Sequence, residues 1–332
     1  MDFAKTVTYS PAYTLVPTYE CFNRCSYCNF RADPGKSTWL TLTDAETQLR
    51  SLQHQGVIEI LILSGEVHPH SDQRSLWVQH IYDLCELALS IGFLPHTNVG
   101  PLSLVEMERL KTVNVSMGLM VEQVTPTLLQ TVHRHAPSKL PALRLQQLAQ
   151  AGELQIPFTT GLLLGIGETE AERWQTLEAI AQSHQRWRHI QEVILQPYSP
   201  GDTEAWAGAA FSPQQLLETI TLARRILPSD IVLQIPPNLV PRSHLSACLD
   251  AGARDLGGIG PHDEVNPAYP HPIDVELASD LSEAGWTLMP RLPIYPHYDA
   301  WLAQALKDAV ERWRERIEGR RQKAEGRRVF GG

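Results

Sequence analysis

Short apolar runs alternate with amphipathic stretches from about residue 13 to residue 260, and no repeat or low-complexity linker interrupts them. This alternation limits the fold more than any other feature, because parallel strands need a long crossover and a helix is the usual one. The run Val-Ile-Glu-Ile-Leu-Ile-Leu at 57–63 is almost wholly apolar, as a strand covered on both faces should be. Comparable runs at 13–18, 93–98, 113–120, 155–164, 190–196, 231–235 and 255–259 are read as strands. Between them, Trp77, Ile81, Leu84, Ala88 and Ile91 recur at steps of three and four, the spacing of one helix face. Further helices are expected at 102–110 and 137–152. Thr43 with Glu46, and Thr169 with Glu172, have capping-box spacing, and Ser212 followed by Pro213 opens another helix.

Six to eight βα units therefore fit over 1–260. The expected fold is α/β, a (β/α) TIM-like barrel, complete or partial, with a C-terminal α/β extension at 261–310. In the extension, 273–284 and 296–317 read as helix and 286–289 as a short strand. A basic stretch at 311–332 is expected to fray as a solvated tail. In such barrels the chemistry lies at the C-terminal ends of the strands. The polar and glycine-bearing signals fall there: a cysteine loop after the first strand, Ser64-Gly65-Glu66, Asn98, Ser116, Glu122, and Gly165 to Glu168.

The loop after the first strand carries Cys21, Cys25 and Cys28, spaced C-x3-C-x2-C. A structural zinc site wants four protein ligands, whereas an iron–sulfur cluster held by three cysteines keeps one iron open. A zinc reading would need a distant fourth ligand, for which His54, His68, His70 and His96 are available. His133 and His135 stand two apart, so they share no helix face and are discounted as a metal pair. Cys85 and Cys248 lie among apolar residues and read as small core side chains.

Hydrophobic residues make up 43% of the 332 residues, enough for a large core. The formal net charge of −9 argues against binding driven by nucleic-acid phosphates. No apolar run is long enough to cross a bilayer, and no signal peptide is recognisable, so a cytoplasmic location is expected.

The cysteine spacing with Tyr27 inside it, the barrel, Ser64-Gly65-Glu66, and Gly161-x-Leu163-x-Gly165-x-x-Glu168 together resemble the radical S-adenosylmethionine (radical SAM) superfamily. The usual Gly-Gly-Glu has Ser64 as its first residue here, and Leu163 replaces an isoleucine. Longer stretches narrow the resemblance. They include Leu-Pro-His-Thr-Asn at 94–98, Ser-Met-Gly-Leu-Met at 116–120, His-Ile-Gln-Glu-Val-Ile-Leu-Gln at 189–196 and Arg-Leu-Pro-Ile-Tyr-Pro at 291–296. These are similar to the radical SAM subunit of 7,8-didemethyl-8-hydroxy-5-deazariboflavin (FO) synthases, over roughly 9–298.

The resemblance implies one 4Fe–4S cluster on Cys21, Cys25 and Cys28, with S-adenosyl-L-methionine on the open iron. It implies Tyr27, Gly65, Glu66, Gly165 and Glu168 around S-adenosyl-L-methionine, with Asn98, Ser116 and Glu122 as candidates for ribose or carboxylate contacts. It also implies a lyase in coenzyme F(420) biosynthesis. The enzyme would close the deazaflavin ring of a ribitylaminouracil adduct and release ammonium, methionine and 5′-deoxyadenosine. A separate tyrosine-activating radical SAM subunit would supply the adduct, and an external donor the electron. Thr159, Thr160, Gln191, Gln196, Asn238 and Asn266 could meet the adduct. The catalytic proton acceptor is not identified, with His96, Glu192 and Asp255 as candidates. The alternatives are the tyrosine-activating subunit itself, a menaquinone-pathway futalosine enzyme, or, from another class, a non-enzymatic zinc-binding α/β protein.

Overall fold

The structure is a computed structural model and describes residues 5–330. Eight parallel strands form the barrel: β1 (Thr6–Leu15), β2 (Glu59–Leu63), β3 (Leu94–Asn98), β4 (Ser116–Gly118), β5 (Phe158–Leu164), β6 (Ile190–Pro197), β7 (Val232–Gln234) and β8 (Asp255–Ile259). They pair in chain order, β8 returns to β1, and β1 pairs β2. The barrel is thus closed, the complete form of the expected fold. Seven helices cover it: α1 (Leu42–Ser51), α2 (Arg74–Ile91), α3 (Leu104–Lys111), α4 (Pro141–Glu153), α5 (Glu170–Trp187), α6 (Pro213–Ile226) and α7 (Arg242–Ala251).

Strand periodicity divides the side chains between two layers. On β2, Ile60 and Ile62 join the core between barrel and helices with Trp77, Ile81 and Leu84. Glu59, Leu61 and Leu63 alternate with them and line the barrel interior. On β6 the alternation breaks. Phe158 pairs with Ile190 but Thr159 pairs with Glu192, so Gln191 is an extra, bulged residue. Bulges re-aim side chains, and here Gln191 and Glu192 both reach the interior.

The first strand begins at Thr6, well before the expected start at residue 13. Its early half pairs with β9 (Thr287–Pro290) of the C-terminal extension, a partner remote in sequence. The first helix is capped by Thr41, whose side chain accepts from the Asp44 N–H, and not by Thr43. Thr169 and Glu172 form the expected capping box, and Ser103 with Glu106 forms one that was not anticipated. After β8 come α8 (Asp274–Glu283), β9 and a 3₁₀ turn at Pro296–Trp301. The last helix, α9 (Gln304–Phe330), continues past the end expected near Ile317; residues 331–332 of the expected tail lie outside the described residues. Cys85 and Cys248 are buried and free. Among the described residues no helix is long and apolar enough to cross a membrane.

Candidate active site

The cysteine loop is tied down by its backbone. Cys21 N–H donates to Ala32 O at 3.0 Å, Phe22 N–H to Glu66 O at 3.1 Å, Arg24 N–H to His135 O at 2.7 Å and Ser26 N–H to Val132 O at 3.0 Å. Gly65 sets how closely β2 approaches it. A Cβ on Gly65 would lie 2.2 Å from Glu20 O, so any side chain there would displace the residue before Cys21. Gly65 N–H donates to Thr18 O at 2.7 Å, which closes the contact.

Cys21, Cys25 and Cys28 are free and partly exposed. Burial pushes the Cys25 thiol up to about 12, against the pull of the Lys139 ammonium, and Cys21 is also raised, chiefly by burial. Such thiols ionise when a metal cation replaces the proton. The Asn23 amide stands 3.7 Å from Cys21 Sγ, a donor toward a thiolate. Among the described residues no three His, Cys, Asp or Glu side chains are gathered tightly enough to hold a single metal ion. His68 meets Phe22 edge to face and lines a different cavity from Cys28. This donor set, three soft sulfurs without a fourth ligand, fits an iron–sulfur cluster with an open position better than a closed zinc site.

Beside the loop lies a cavity lined by Tyr27, Cys28, Glu66, Asn98, Glu122, Lys139 and Arg144, among others. Glu122 sits at φ +64°, a left-handed conformation that costs a non-glycine residue about 1 kcal/mol or more. Its N–H donates to Gly161 O at 2.9 Å. Its carboxylate accepts from the Tyr27 hydroxyl at 2.5 Å, faces His133 Nε2 at 3.1 Å and pairs with the Lys139 ammonium. Burial alone would raise this carboxyl, but Lys139, His133 and Arg144 outweigh it and hold it well below the usual range. Glu66 accepts from Asn23 Nδ2 at 2.9 Å and faces Arg144 at 3.6 Å. Gly100 makes room for it, since a Cβ there would lie 2.3 Å from Glu66 Cδ.

Gly165 and Glu168 act at one remove. Glu168 accepts from the N–H groups of Gly165 and Ile166 at 2.7 and 2.8 Å and from Arg173 at 2.8 Å, which pins the turn after β5. Leu163 and Tyr198, not Gly165 or Glu168, reach the cavity wall. Ser116 differs from its expected place. Its hydroxyl is buried between His96 Nδ1 at 2.7 Å and Pro293 O at 2.6 Å, away from this cavity.

A second cavity of about 180 Å³ lies in the barrel interior. It shares Asn98, Gln196 and Asn266 with the first, so the two adjoin. Its wall includes Glu59, His96, Thr159, Gln191, Glu192, Asn238 and Arg291. Arg291 donates to Asp255 through Nε at 2.6 Å and Nη2 at 2.8 Å, and pairs with Glu192 at 2.5 Å. Asp255 also accepts from Thr8 and from Gly257 N–H. It is fully buried and outside the cavity lining, which removes it from the proton-acceptor candidates. Burial, with Asp255 and Glu59 close by, pushes Glu192 up to about 7 against the pull of Arg291. Burial and then Arg291 push His96 down to about 3, so its ring is neutral. Thr160 bonds back to Leu119 O within the sheet, away from both cavities.

The sequence reading missed Lys139 and Arg144 and gave no site role to His133 or Arg291. His133 and Lys139 come from the segment between β4 and α4, Arg144 from the first turn of α4, and Arg291 from beyond the barrel. No local pattern marks them, although a basic residue bound for a buried carboxylate is a common pairing.

The sequence profile of the radical SAM superfamily matches residues 15–180, half of the chain. A 7,8-didemethyl-8-hydroxy-5-deazariboflavin synthase of Trichormus variabilis is 67% identical over 313 residues, covering 94% of this chain and 92% of that protein. The synthase of Trichodesmium erythraeum is 63% identical over 315 residues, covering 95% and 99%. Among solved structures, the FeFe-hydrogenase maturase of Carboxydothermus hydrogenoformans superimposes with a TM-score of 0.74 at 18% identity, covering 92% of this chain and 77% of that one. A methylornithine synthase gives 0.68 at 15% identity, covering 90% and 87%. These two likenesses concern the fold alone. With the cysteine loop, the closed barrel and relatives of this identity along nearly its whole length, the chain belongs to the radical SAM superfamily and, within it, to the 7,8-didemethyl-8-hydroxy-5-deazariboflavin synthases.

Proposed function

We propose that this chain closes the deazaflavin ring of 5-amino-5-(4-hydroxybenzyl)-6-(D-ribitylimino)-5,6-dihydrouracil and releases ammonium, which makes it a carbon–nitrogen lyase. The observation that carries the proposal is the shared wall of the two cavities: a thiol-bearing cofactor end opens onto a polar, acid-bearing interior. Cys21, Cys25 and Cys28 would hold a 4Fe–4S cluster, and Tyr27, Glu66, Asn98 and Glu122 would surround S-adenosyl-L-methionine. When bound, the pair would supply 5′-deoxyadenosyl radical chemistry, hydrogen abstraction, where the two cavities adjoin.

The chain's own residues bind, orient and exclude water. Glu122, paired with the Lys139 ammonium and in contact with His133, holds Tyr27 against the cofactor end. Gly65 fixes the distance between the loop and β2. The carbon skeleton of the barrel wall, with Leu61, Leu63 and Ile194, shields a reactive intermediate from solvent. Glu192 is the group best placed to accept or return a proton, since it lines the interior with its carboxyl raised to about 7. In this reading the barrel over 1–260 carries the chemistry and the extension over 261–310 supplies the floor of the interior cavity. The adduct comes from a separate tyrosine-activating radical SAM enzyme, and an external donor supplies the electron. The expected location is the cytoplasm, where thiolates stay reduced.

The test is anaerobic incubation of the iron-loaded chain with S-adenosyl-L-methionine, a reductant and the purified adduct. Deazaflavin fluorescence is expected. If the chain alone joins tyrosine to the ribitylaminouracil and leaves the adduct unchanged, it is the tyrosine-activating enzyme.

A further inference from the structure

Hydrogen-bond accounting in the interior cavity singles out three atoms. Gln191 has two amide hydrogens, and both are spent: its nitrogen donates to Pro293 O at 3.1 Å and to Thr159 Oγ1 at 3.3 Å. Pro293 O can only accept, which fixes the nitrogen and places the oxygen on the other side. That oxygen, Oε1, is buried with no partner. Asn238 repeats the arrangement. Its nitrogen donates to Asp263 Oδ2 and to Tyr269 O, each at 2.8 Å, and its Oδ1 is buried without a partner.

The third atom follows from a tautomer. The one hydroxyl hydrogen of Ser116 goes to Pro293 O at 2.6 Å. Ser116 Oγ must then accept from His96, so His96 Nδ1 carries the hydrogen in the 2.7 Å contact. His96 Nε2 is left with a lone pair, and no hydrogen-bond partner for it is found among the described residues. The ring stays neutral because burial and Arg291 keep it from protonating. Gly118 leaves space beside Nε2, where a Cβ would lie 2.9 Å away.

Buried polar atoms without partners cost about 1–3 kcal/mol each, and Gln191 Oε1 and Asn238 Oδ1, on the same cavity wall as the free imidazole lone pair of His96, call for a ligand. We propose that Gln191 Oε1, Asn238 Oδ1 and His96 Nε2 form an acceptor set that reads hydroxyl and N–H donors on the ribityl-pyrimidine part of the substrate. This rests on the ring-closing reading and adds what that reading lacks, the residues that select the substrate. A molecule with a polyol chain and a ring N–H brings donors to each acceptor, while an analogue stripped of one leaves an acceptor buried and unpaired. The bulge on β6 is what turns Gln191 inward beside Glu192. Pro293, from the extension, orients two of the three acceptors at once. Ser116 and Pro293 are therefore positioning residues.

The experiment is a cycle of variants against ligands. Binding of 5-amino-6-(D-ribitylamino)uracil, and of analogues each lacking one hydroxyl or carrying one N-methyl, is measured by calorimetry on the wild type, Gln191→Met, Asn238→Leu and Ser116→Ala. In the wild type, at least one analogue is expected to bind about 10- to 100-fold more weakly than the parent. For Gln191→Met or Asn238→Leu, the matching analogue and the parent should bind alike, so that the ratio falls to about one. Ser116→Ala frees both imidazole tautomers and should weaken binding of the parent by a smaller factor; in turnover of the purified adduct it should raise KM with kcat held. Folded variants that keep the wild-type ratio for every analogue would overturn the proposal. Should the variants fail to fold, the wild type decides: a loss below about twofold for every analogue also overturns it. A wild type that makes deazaflavin while showing flat ratios sinks only the acceptor set; one that makes none sinks the ring-closing reading itself.

Discussion

At the cofactor end of the interior, Glu66 and Glu122 face Arg144, Lys139 and His133. At the substrate end, Glu59, Glu192 and Asp255 gather around one guanidinium, Arg291. The two ends lie in one barrel and share part of a wall, yet they handle charge in opposite ways. At the first, two cations, Lys139 and Arg144, match the two carboxylates, and Glu122 is held ionised. Carboxylates outnumber the cation at the second, and Glu192 and Glu59 are both raised. A neutralised, tightly tied end suits the placing of a charged cofactor. An end with one carboxylate too many suits the holding of a proton. At the second, hydrogen-bonding capacity is left over on the wall of the interior cavity, on Gln191 and Asn238.

If the cofactor end is a rigid seat, small changes there should be the most damaging in the molecule. Cys25→Ser removes one of the three sulfurs and should abolish both the visible iron–sulfur absorption and product formation, while the barrel still melts cooperatively. Retained iron and turnover would show that the loop is not the cluster's seat. Gly65→Ala is subtler. Its methyl cannot fit 2.2 Å from Glu20 O, so the loop must shift by a sizeable fraction of an ångström. Misplacement on that scale costs on the order of 100-fold in kcat/KM. Iron content should be retained and affinity for S-adenosyl-L-methionine should fall. A variant with wild-type kinetics would mean the loop tolerates motion and the rigid-seat contrast is wrong.

The same contrast marks what could be read from sequence. The cofactor end is local in its sulfurs, glycines and acids, each visible as a pattern within a few residues, but not in its cations Lys139 and Arg144. Strand and helix order followed from hydrophobic periodicity, and β8 agrees to the residue with its predicted span. The substrate end is not local. Glu192, His96 and Gln191 could be named as polar residues on inner strands, but their roles depend on Arg291 and Pro293, about 100 residues beyond β6 in sequence. The bulge that brings both Gln191 and Glu192 inward is a matter of register between β5 and β6, which side-chain periodicity does not encode. Asp255 illustrates the error this invites. An acid at the start of a strand resembles a proton acceptor until its bidentate partner, Arg291, is known. Ser116 misled in the same way, because Pro293 claims its hydroxyl.

The smallest effect, and the sharpest measure of the charge contrast, is in the pH dependence of stability. Glu192 is faced by Arg291, Tyr295 and Thr159, with Asp255 and Glu59 nearby. Its carboxyl is raised to about 7, above the ordinary glutamate value that applies when the chain is unfolded. Between roughly pH 4.5 and 7 the folded state therefore holds a proton that the unfolded state has lost. The sign follows: this contribution to stability is complete below the unfolded value and drains away as pH rises through the folded one. Glu192→Gln keeps an acceptor for Arg291 and Tyr295 but cannot ionise, so it should remove most of that decline. The expected change is on the order of 2 kcal/mol across the window, read as a few degrees in the pH dependence of Tm. Glu59→Gln should remove a further part, since it is raised by the same crowding. The matching substitution at the other end, Glu122→Gln, should act in the opposite sense. Glu122 is held well below its ordinary value, so its contribution is present at neutral pH and is lost on acidification. Tm profiles of Glu192→Gln and Glu122→Gln that depart from wild type in the same direction would mean the two ends do not differ in charge balance.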